Sequence, residues 1–310
     1  MGDSELRVVP VLCGPTAAGK TRAALRLSRV APIEVISADS RQLYRGFDIG
    51  TAKPTAAERA GLPHHGIDVL EPTERASAAW WAEHADRWIR DVFARGRLPV
   101  VVGGTGLYLR ALFGVMFTEP PMDADRRRAL EADLAALDTN ELRRRVQQLD
   151  PARAHLGRIQ LLRAIEVSTL TGRRLSDLHR ELATVPRWRA RYLVLDPGPS
   201  LAGDIVARTR AMFAAGWRDE VRQLMAVVPP TAPAWNASGY RLVRGLEQGM
   251  LSPEAAMERV IIETRQYAKR QRTWFRHQLA DEDATRLDPG QPDADAHLLA
   301  WWNAGSGTAP

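Results

Sequence analysis

A short segment near the start of the chain has the residue types and spacing of a loop that binds phosphate. Residues 14–21 match the pattern G-x-x-x-x-G-K-[ST] at every fixed position, with an apolar run before them and a helical pattern after them. The glycines allow backbone amides to converge on phosphate oxygens, Lys20 supplies a full positive charge, and the hydroxyl of Thr21 can reach a magnesium ion. The predicted phosphate-binding residues are Gly14, Pro15, Thr16, Ala17, Ala18, Gly19, Lys20 and Thr21.

Two further polar loops follow apolar runs and are expected at the same edge of a sheet. Asp39 comes after Ile33–Ile36, and Thr105 lies among glycines after the β-branched run Leu98–Val102. In an open parallel sheet, ligands bind beyond the carboxyl ends of the strands, so these loops should meet the phosphate loop. On spacing alone, Asp39 is a general base, a magnesium ligand or a helix N-cap. Thr105 is either a substrate-binding hydroxyl or part of a turn.

A third acidic position resembles the carboxylate with which ATPases hold magnesium. Asp196 follows the apolar run Tyr192–Leu195, as such an aspartate would. It also begins the tripeptide Asp-Pro-Gly, which is common turn chemistry. We favour the turn.

The elements that must position these residues alternate between strand, loop and helix through about residue 117. This alternation predicts an α/β fold, a P-loop NTPase-like parallel sheet flanked by helices. Residues 118–190 are rich in Ala, Leu and Arg, contain no good strand candidate, and are predicted to form an inserted helical subdomain. Residues 1–117 and 191–278 would then form the catalytic core with its C-terminal helices. Residues 279–310 have weak periodicity and are expected to be a partly disordered tail.

Composition narrows the class of partner. The formal net charge is +6, which favours a polyanionic partner. Four basic residues lie at helical spacings of four, three and four, with only Glu263 as a nearby acid, and predict a stripe that faces phosphates. They are Arg265, Lys269, Arg272 and Arg276. A single cysteine and the lack of a signal peptide or membrane-length apolar run favour a cytoplasmic protein with no membrane contact.

Longer segments around these residues resemble the tRNA dimethylallyltransferase family. The matching segments occur in the family's order, and together they cover about residues 8–277. They are Gly14–Thr21, Ser37–Pro54, Pro63–Asp68, Pro99–Tyr108 and Thr264–Arg276. The resemblance implies a monomer that binds Mg²⁺ and holds dimethylallyl diphosphate in the phosphate loop. It would transfer the dimethylallyl group to the N6 amine of the adenosine 3′ of the tRNA anticodon (position 37), releasing diphosphate.

The resemblance also implies roles for individual residues. Asp39 would be the general base, Thr105 would lie at the reaction centre, and Arg208 would stabilise the departing diphosphate. The target base would be swung out of its stack to meet them. With the basic stripe included, the expected tRNA-binding residues are Asp39, Ser40, Arg41, Gln42, Thr105, Arg127, Arg163, Arg265, Lys269, Arg272 and Arg276. The chain departs from the family at Ile159 and Gln160, which stand where a basic pair is usual.

Two other classes of protein are compatible with part of the pattern. A P-loop kinase would bind ATP and Mg²⁺ through Lys20 and Thr21, and Asp39 would accept the proton of a small hydroxylated substrate. A kinase of this kind would have no role for the basic stripe. An RNA-binding regulator with a vestigial phosphate loop is the third class, but the intact Lys20, Thr21, Asp39 and Thr105 argue against it.

Overall fold

The chain forms two compact units. The computed structural model describes residues 6–305 apart from 115, 118–119, 121, 182 and 280–282. The sheet unit contains the residues up to Phe113 together with those from Arg187 onward, and the helical unit is Gly114–Pro186. The helical unit begins and ends four residues before the insertion that the sequence predicted, 118–190. One reason is that the strand after it starts at Arg189, where alternating arginines conceal its pattern.

Eight strands occur in the described part of the chain. They are β1 (Val8–Cys13), β2 (Ile33–Ala38), β3 (His64–His65), β4 (Leu98–Gly103), β5 (Met116–Phe117), β6 (Ala183–Thr184), β7 (Arg189–Leu195) and β8 (Ala284–Leu287). Six of them form the sheet of the sheet unit, in the order β3-β2-β4-β1-β7-β8, and every pairing is parallel. The predicted parallel α/β fold is therefore confirmed. Strands β5 and β6 form an antiparallel pair in the helical unit, where no strand was predicted, because two residues are too few to show a period.

Helices cover most of the remaining sequence. They are α1 (Lys20–Leu27), α2 (Ala56–Gly61), α3 (Ala78–Ala94), α4 (Gly106–Phe113), α5 (Ala124–Ala135), α6 (Thr139–Leu149), α7 (Arg158–Thr171), α8 (Leu175–Glu181), α9 (Leu201–Ala214), α10 (Trp217–Val227), α11 (Tyr240–Glu247), α12 (Pro253–Gln278) and α13 (Ala294–Gly305). Helices α5 to α8 belong to the helical unit and enclose its own apolar core. In the described residues, no helix combines the length and the apolar composition that a bilayer span requires.

Strand β1 lies in the middle of the sheet and carries the phosphate loop at its end. Val9 and Val11 pack into the apolar cluster on one face, whereas Leu12 packs into the cluster on the other face. A strand buried on both faces reads as a continuous apolar run, which is why it was visible in the sequence. Pro10 is tolerated because it lies in the part of β1 that pairs with β7 before the register with β4 begins at Val11.

The C-terminal segment that was expected to be a tail adds a strand to the sheet and a helix to the apolar cluster on one face of the sheet. Strand β8 pairs with β7 from Tyr192↔Ala284 to Leu195↔Leu287, and α13 buries Leu298, Trp301 and Trp302 against residues of α1 and the sheet. The expectation of a tail is therefore wrong for residues 284–305. The strand is four residues long and exposes its two central side chains, so its sequence lacks a clear apolar pattern. Residues 306–310 lie outside the described residues.

The packing of α13 predicts a loss of stability when its apolar face is shortened. Leu298→Ala should lower the free energy of unfolding by about 2–5 kcal/mol, because it removes a side chain that is only 2% exposed. Urea unfolding followed by tryptophan fluorescence measures this change in the sheet unit, because all nine tryptophans lie there. The exposed Asn303→Ala is the matched control on the same helix. Equal stability of the two variants would show that α13 does not pack on the sheet unit.

Candidate active site

The phosphate loop runs between β1 and α1 in a conformation that its glycines permit. Gly14 has φ 143° and lies so close to β7 that a Cβ atom there would be 2.2 Å from the carbonyl oxygen of Leu195. Gly19 precedes the first turn of α1 with φ 78°. The loop therefore depends on glycine at both fixed positions of its motif, and the N-terminus of α1 faces the place where an anion would bind.

The predicted phosphate-binding lysine lies folded over its own loop. The Nζ atom of Lys20 donates hydrogen bonds to the carbonyl oxygens of Gly14 and Pro15, at 2.9 and 2.6 Å. Burial lowers the pKa of this ammonium group to about 8; the carboxylate of Asp39 opposes the shift and the charge of Arg208 adds to it. Three charged groups that are far apart in sequence thus interact around one loop.

Arg208 reaches the phosphate loop from α9. Its Nη1 atom donates a hydrogen bond of 3.2 Å to the hydroxyl oxygen of Thr16. Burial lowers the pKa of its guanidinium group, although the negative charge of Asp39 opposes that shift. A half-buried arginine aimed at the loop is not an ordinary solvated helix arginine. The structure therefore places Arg208 where it can meet an anion held by the loop.

The loops after β2 and β4 lie against each other at backbone distance. A Cβ atom on Gly103 would be 2.2 Å from the carbonyl oxygen of Ala38, and the amide of Thr105 donates to that same oxygen at 3.1 Å. The amide of Ser40 in turn donates to the Thr105 hydroxyl at 3.1 Å. Asp39 and Thr105 are thereby brought side by side, as predicted for loops at the carboxyl edge of a parallel sheet.

The carboxylate of Asp39 closes a turn and does not cap a helix. Its Oδ1 atom accepts a hydrogen bond of 2.9 Å from the amide of Arg41, and turn residues follow it in the chain. The helix N-cap interpretation is therefore wrong, which leaves a general base or a magnesium ligand. Gln42 points elsewhere: its Nε2 atom donates to the carbonyl oxygens of Thr51 and Ala52, at 3.3 and 3.2 Å.

A pocket beside these groups is lined by both polar and apolar residues. Thr16, Asp39 and Arg208 contribute polar and charged groups to its lining. Apolar side chains from the C-terminal half of the chain also line it, namely Ile205, Met212, Trp217, Ala237 and Val260. Such a pocket fits a ligand with an anionic head and a small apolar body, and its lining includes a carboxylate.

No pattern in the sequence marks two of the pocket residues. The ring of Trp217 packs so closely on residue 50 that a Cβ atom there would be 2.3 Å from the indole, which explains the glycine at that position. Burial raises the pKa of the Tyr267 hydroxyl to about 12; the charge of Asp39 adds to the shift, and the interaction with the side chain of Thr105 opposes it. Both rings come from helices that lie far along the chain from the loops they contact.

Comparison with known proteins gives the same result over the whole chain. Family models described as IPP transferase and isopentenyl transferase match residues 42–278 and 7–66. A relative named tRNA dimethylallyltransferase, from Deinococcus radiodurans, is 40% identical over 303 residues, which is 95% of this chain and 96% of the relative.

The chain belongs to the tRNA dimethylallyltransferase family.

Solved structures of this family share the fold. The tRNA isopentenylpyrophosphate transferase of Bacillus halodurans is 32% identical, with a TM-score of 0.70 over 98% of this chain and 96% of that one. A eukaryotic dimethylallyltransferase, described as acting on tRNA, is 26% identical, with a TM-score of 0.80 over 98% of this chain and 80% of that one.

The basic stripe that was predicted to face tRNA lies on α12, but two of its members form hydrogen bonds with the protein itself. The Nη2 atom of Arg265 donates to the carbonyl oxygen of Ala202 at 3.3 Å. Arg265, Lys269 and Arg276 are exposed. Arg272 is half-buried, and its Nε atom donates to the Oδ2 atom of Asp196 at 3.0 Å. The acid that pairs with Arg272 was not recognised from the sequence because it lies 76 residues away. Three cations of the stripe, and not four, therefore face solvent.

The pairing of Asp196 also decides between the two interpretations of that residue. Its other oxygen, Oδ1, accepts a hydrogen bond of 3.1 Å from the amide of Gly198, which closes the predicted turn. Both oxygens of the carboxylate are thus bonded to protein groups. The structure agrees with a turn residue.

The two arginines expected to contact tRNA from the helical unit share one acid. Arg127 on α5 and Arg163 on α7 both form ion pairs with the buried carboxylate of Glu166, and Arg127 also pairs with Glu131 at 3.3 Å. Ile159, where the family usually has a basic residue, is 81% exposed at the start of α7. Within the helical unit, the structure brings these two predicted contacts together.

The residues around the phosphate loop fit a magnesium ion that is shared with phosphate. Among the described residues there is no group of three or more His, Cys, Asp or Glu side chains that could hold a metal. Magnesium does not require such a cage, because it keeps several waters and is usually bound by one or two side chains and the phosphates of the substrate. Thr21, next to Lys20 in the first turn of α1, offers the hydroxyl for this arrangement.

The exposed part of the stripe predicts how RNA binding responds to salt. Lys269→Ala and Arg276→Ala should each weaken the binding of an anticodon stem-loop and lower the slope of log K against log salt by about one, because each removes a phosphate contact. Filter binding over a series of KCl concentrations measures both quantities. Arg222→Ala, on the exposed face of α10, is the control. An unchanged slope in both stripe variants would show that α12 does not follow the phosphate backbone.

Proposed function

We propose that the chain transfers a dimethylallyl group from dimethylallyl diphosphate to the N6 amine of the adenosine 3′ of the anticodon (position 37) of tRNA, with release of diphosphate. The observation that carries this proposal is the pocket that Asp39 lines together with residues of the phosphate loop and apolar side chains. A prenyl diphosphate has the same two parts, an anionic head and an apolar body. Membership of the tRNA dimethylallyltransferase family supports the same reaction.

The phosphate end of the pocket stabilises the leaving group. As the bond between the first prenyl carbon and its oxygen breaks, the diphosphate takes the electron pair and gains negative charge. Lys20, Arg208 and the N-terminus of α1 all place positive charge at that point. Magnesium, held by Thr21 and the diphosphate, would supply further positive charge there.

Asp39 and Thr105 act on the other reactant. The lone pair of the adenine amine is delocalised into the ring, so the amine attacks well only as it loses a proton. Asp39 accepts that proton while the new bond forms between nitrogen and carbon. The hydroxyl of Thr105 accepts a hydrogen bond from the Ser40 amide, which holds it in place to orient the amine.

The apolar lining holds the prenyl body and limits its exposure to water. An allylic carbon that is losing diphosphate reacts readily with any nucleophile, including water. Ile205, Met212 and Trp217 contribute apolar side chains to the lining of the pocket. Exclusion of water there leaves the amine as the available nucleophile.

The tRNA is proposed to bind on the exposed surface of the protein, through basic side chains. The exposed Arg265, Lys269 and Arg276 on α12 are proposed to contact its phosphate backbone. Arg127 and Arg163 of the helical unit are proposed as further contacts. The target adenine must leave its stack to reach Asp39, as in other enzymes that modify a base.

A transfer assay tests the reaction against the kinase alternative. Purified protein is mixed with Mg²⁺, labelled dimethylallyl diphosphate and an anticodon stem-loop that has adenine at the target position. Parallel reactions contain a loop with guanine at that position, labelled ATP in place of the prenyl donor, or EDTA. Label is expected on the adenine loop alone and only with Mg²⁺. Phosphate transfer from ATP without prenyl transfer would overturn the proposed function.

The role of Asp39 as base is tested in the same assay. Asp39→Asn should lower kcat by two to four orders of magnitude, about the range attributed to general base catalysis. The asparagine oxygen can still accept the Arg41 amide, so the turn and the affinity for diphosphate should be preserved. Asp91→Asn, on an exposed face of α3, is the control. Activity of Asp39→Asn within threefold of the unchanged protein would remove Asp39 as the base.

A further inference from the structure

One side chain of α12 joins two loops of the active site. The Nε2 atom of Gln271 donates a hydrogen bond of 2.8 Å to the carbonyl oxygen of Gly104, and its Oε1 atom accepts one of 2.8 Å from the amide of Thr16. These partners lie 167 and 255 residues away along the chain. Gln271 is 6% exposed, so its amide group is held at both ends in a place with little solvent.

The approach leaves little room for a side chain in the partner loop. A Cβ atom on Gly104 would be 2.3 Å from the Nε2 atom of Gln271, and one on Gly106 would be 2.3 Å from the indole of Trp274. Tyr267, one turn before Gln271, interacts with the side chain of Thr105. Successive turns of α12 therefore contact the loop after β4, and only Gln271 among these side chains also bonds the phosphate loop in the described structure.

We propose that Gln271 is a positioning residue that sets the separation between the phosphate loop and Thr105. This inference rests on the proposed function, in which the phosphate loop fixes the prenyl donor and the loop of Thr105 fixes the amine. Gln271 bonds the backbone of residue 16, inside the first loop, and of residue 104, next to Thr105. It touches neither reactant itself, and it acts through the two loops.

The geometry of the reaction makes this separation critical. The attacking nitrogen must approach the first prenyl carbon while the diphosphate leaves, so donor and acceptor must be held at a fixed distance. A displacement of about 1 Å in such an arrangement can lower the rate about a hundredfold without weakening the binding of either reactant. A substitution that removes the hydrogen bonds of Gln271 should therefore lower kcat and leave KM unchanged.

Two substitutions separate the hydrogen bonds of Gln271 from its volume. Gln271→Met keeps nearly the same size and removes both hydrogen bonds. Gln271→Glu keeps an acceptor for the Thr16 amide, but its ionised form has no donor for the Gly104 carbonyl. A protonated carboxyl group has both a donor and an acceptor, so that variant recovers the arrangement as the pH falls. Gln266→Met, at an exposed position of the same helix, is the control.

The measurement is kcat and KM for transfer to the stem-loop, across a range of pH. Gln271→Met should lower kcat by 10- to 100-fold, with KM for both substrates within about threefold of the unchanged protein. The ratio of its kcat to that of the unchanged protein should not depend on pH. For Gln271→Glu this ratio should rise as pH falls. Both proteins contain the same other ionisable groups near the site, namely Lys20, Asp39, Arg208 and Tyr267. Their titration affects both values of kcat and largely cancels in the ratio.

The outcomes that overturn the inference differ from those that overturn the function. The amount of labelled inorganic diphosphate that binds gives the concentration of folded sites. If kcat per folded site is unchanged in Gln271→Met, Gln271 has a purely structural role. A rise in KM with kcat unchanged, or a flat ratio for Gln271→Glu, would also overturn it. An unchanged protein that fails to transfer the prenyl group would overturn the proposed function, and this inference with it.

Discussion

The active site depends on close approaches between backbone segments, two of which leave no room for a Cβ atom. The phosphate loop passes the end of β7 at Gly14, and β4 ends against the end of β2 at Gly103; a Cβ atom on Gly104 would in addition lie 3.1 Å from the Gly14 carbonyl oxygen, a tight contact. Three loops therefore meet at the carboxyl edge of the sheet without side chains between them. This contact brings the donors of the phosphate loop and the hydroxyl of Thr105 into a single site.

The same close approach sets the electrostatics of the site. Lys20 and Arg208 are both withdrawn from solvent beside one loop, and burial lowers the pKa of each. Asp39 opposes both shifts and is the charged group that connects the phosphate end to Thr105 and Tyr267. A diphosphate would add negative charge beside two cations that burial has destabilised. The site is therefore suited to an anion before any substrate is bound, and no large rearrangement of charge is needed when one arrives.

Features that depend on neighbouring residues in the sequence could be predicted, and features that depend on distant partners could not. Strand β1 was predicted as the apolar run before the phosphate loop and β4 to within one residue, because each is a buried apolar run followed by a glycine loop. Strand β8 was missed because its burial comes from pairing with β7, not from its own composition. The pairing of Arg272 with Asp196 and the bonds of Gln271 were missed for the same reason. Each of them joins segments that only the folded chain brings together.

The phosphate motif alone does not identify the ligand, because the phosphate loop and the apolar lining of the pocket come from different parts of the chain. The residues that bind phosphate come from one short loop, and any P-loop protein has them. The residues that we propose distinguish a prenyl group from a nucleotide come from elsewhere: Ile205 and Met212 from α9, Trp217 from α10 and Val260 from α12. These helices also carry Arg208 and Gln271, which contact the phosphate loop directly. The apolar lining and the side chains that support the phosphate loop therefore come from the same helices, so a change in their packing would affect both.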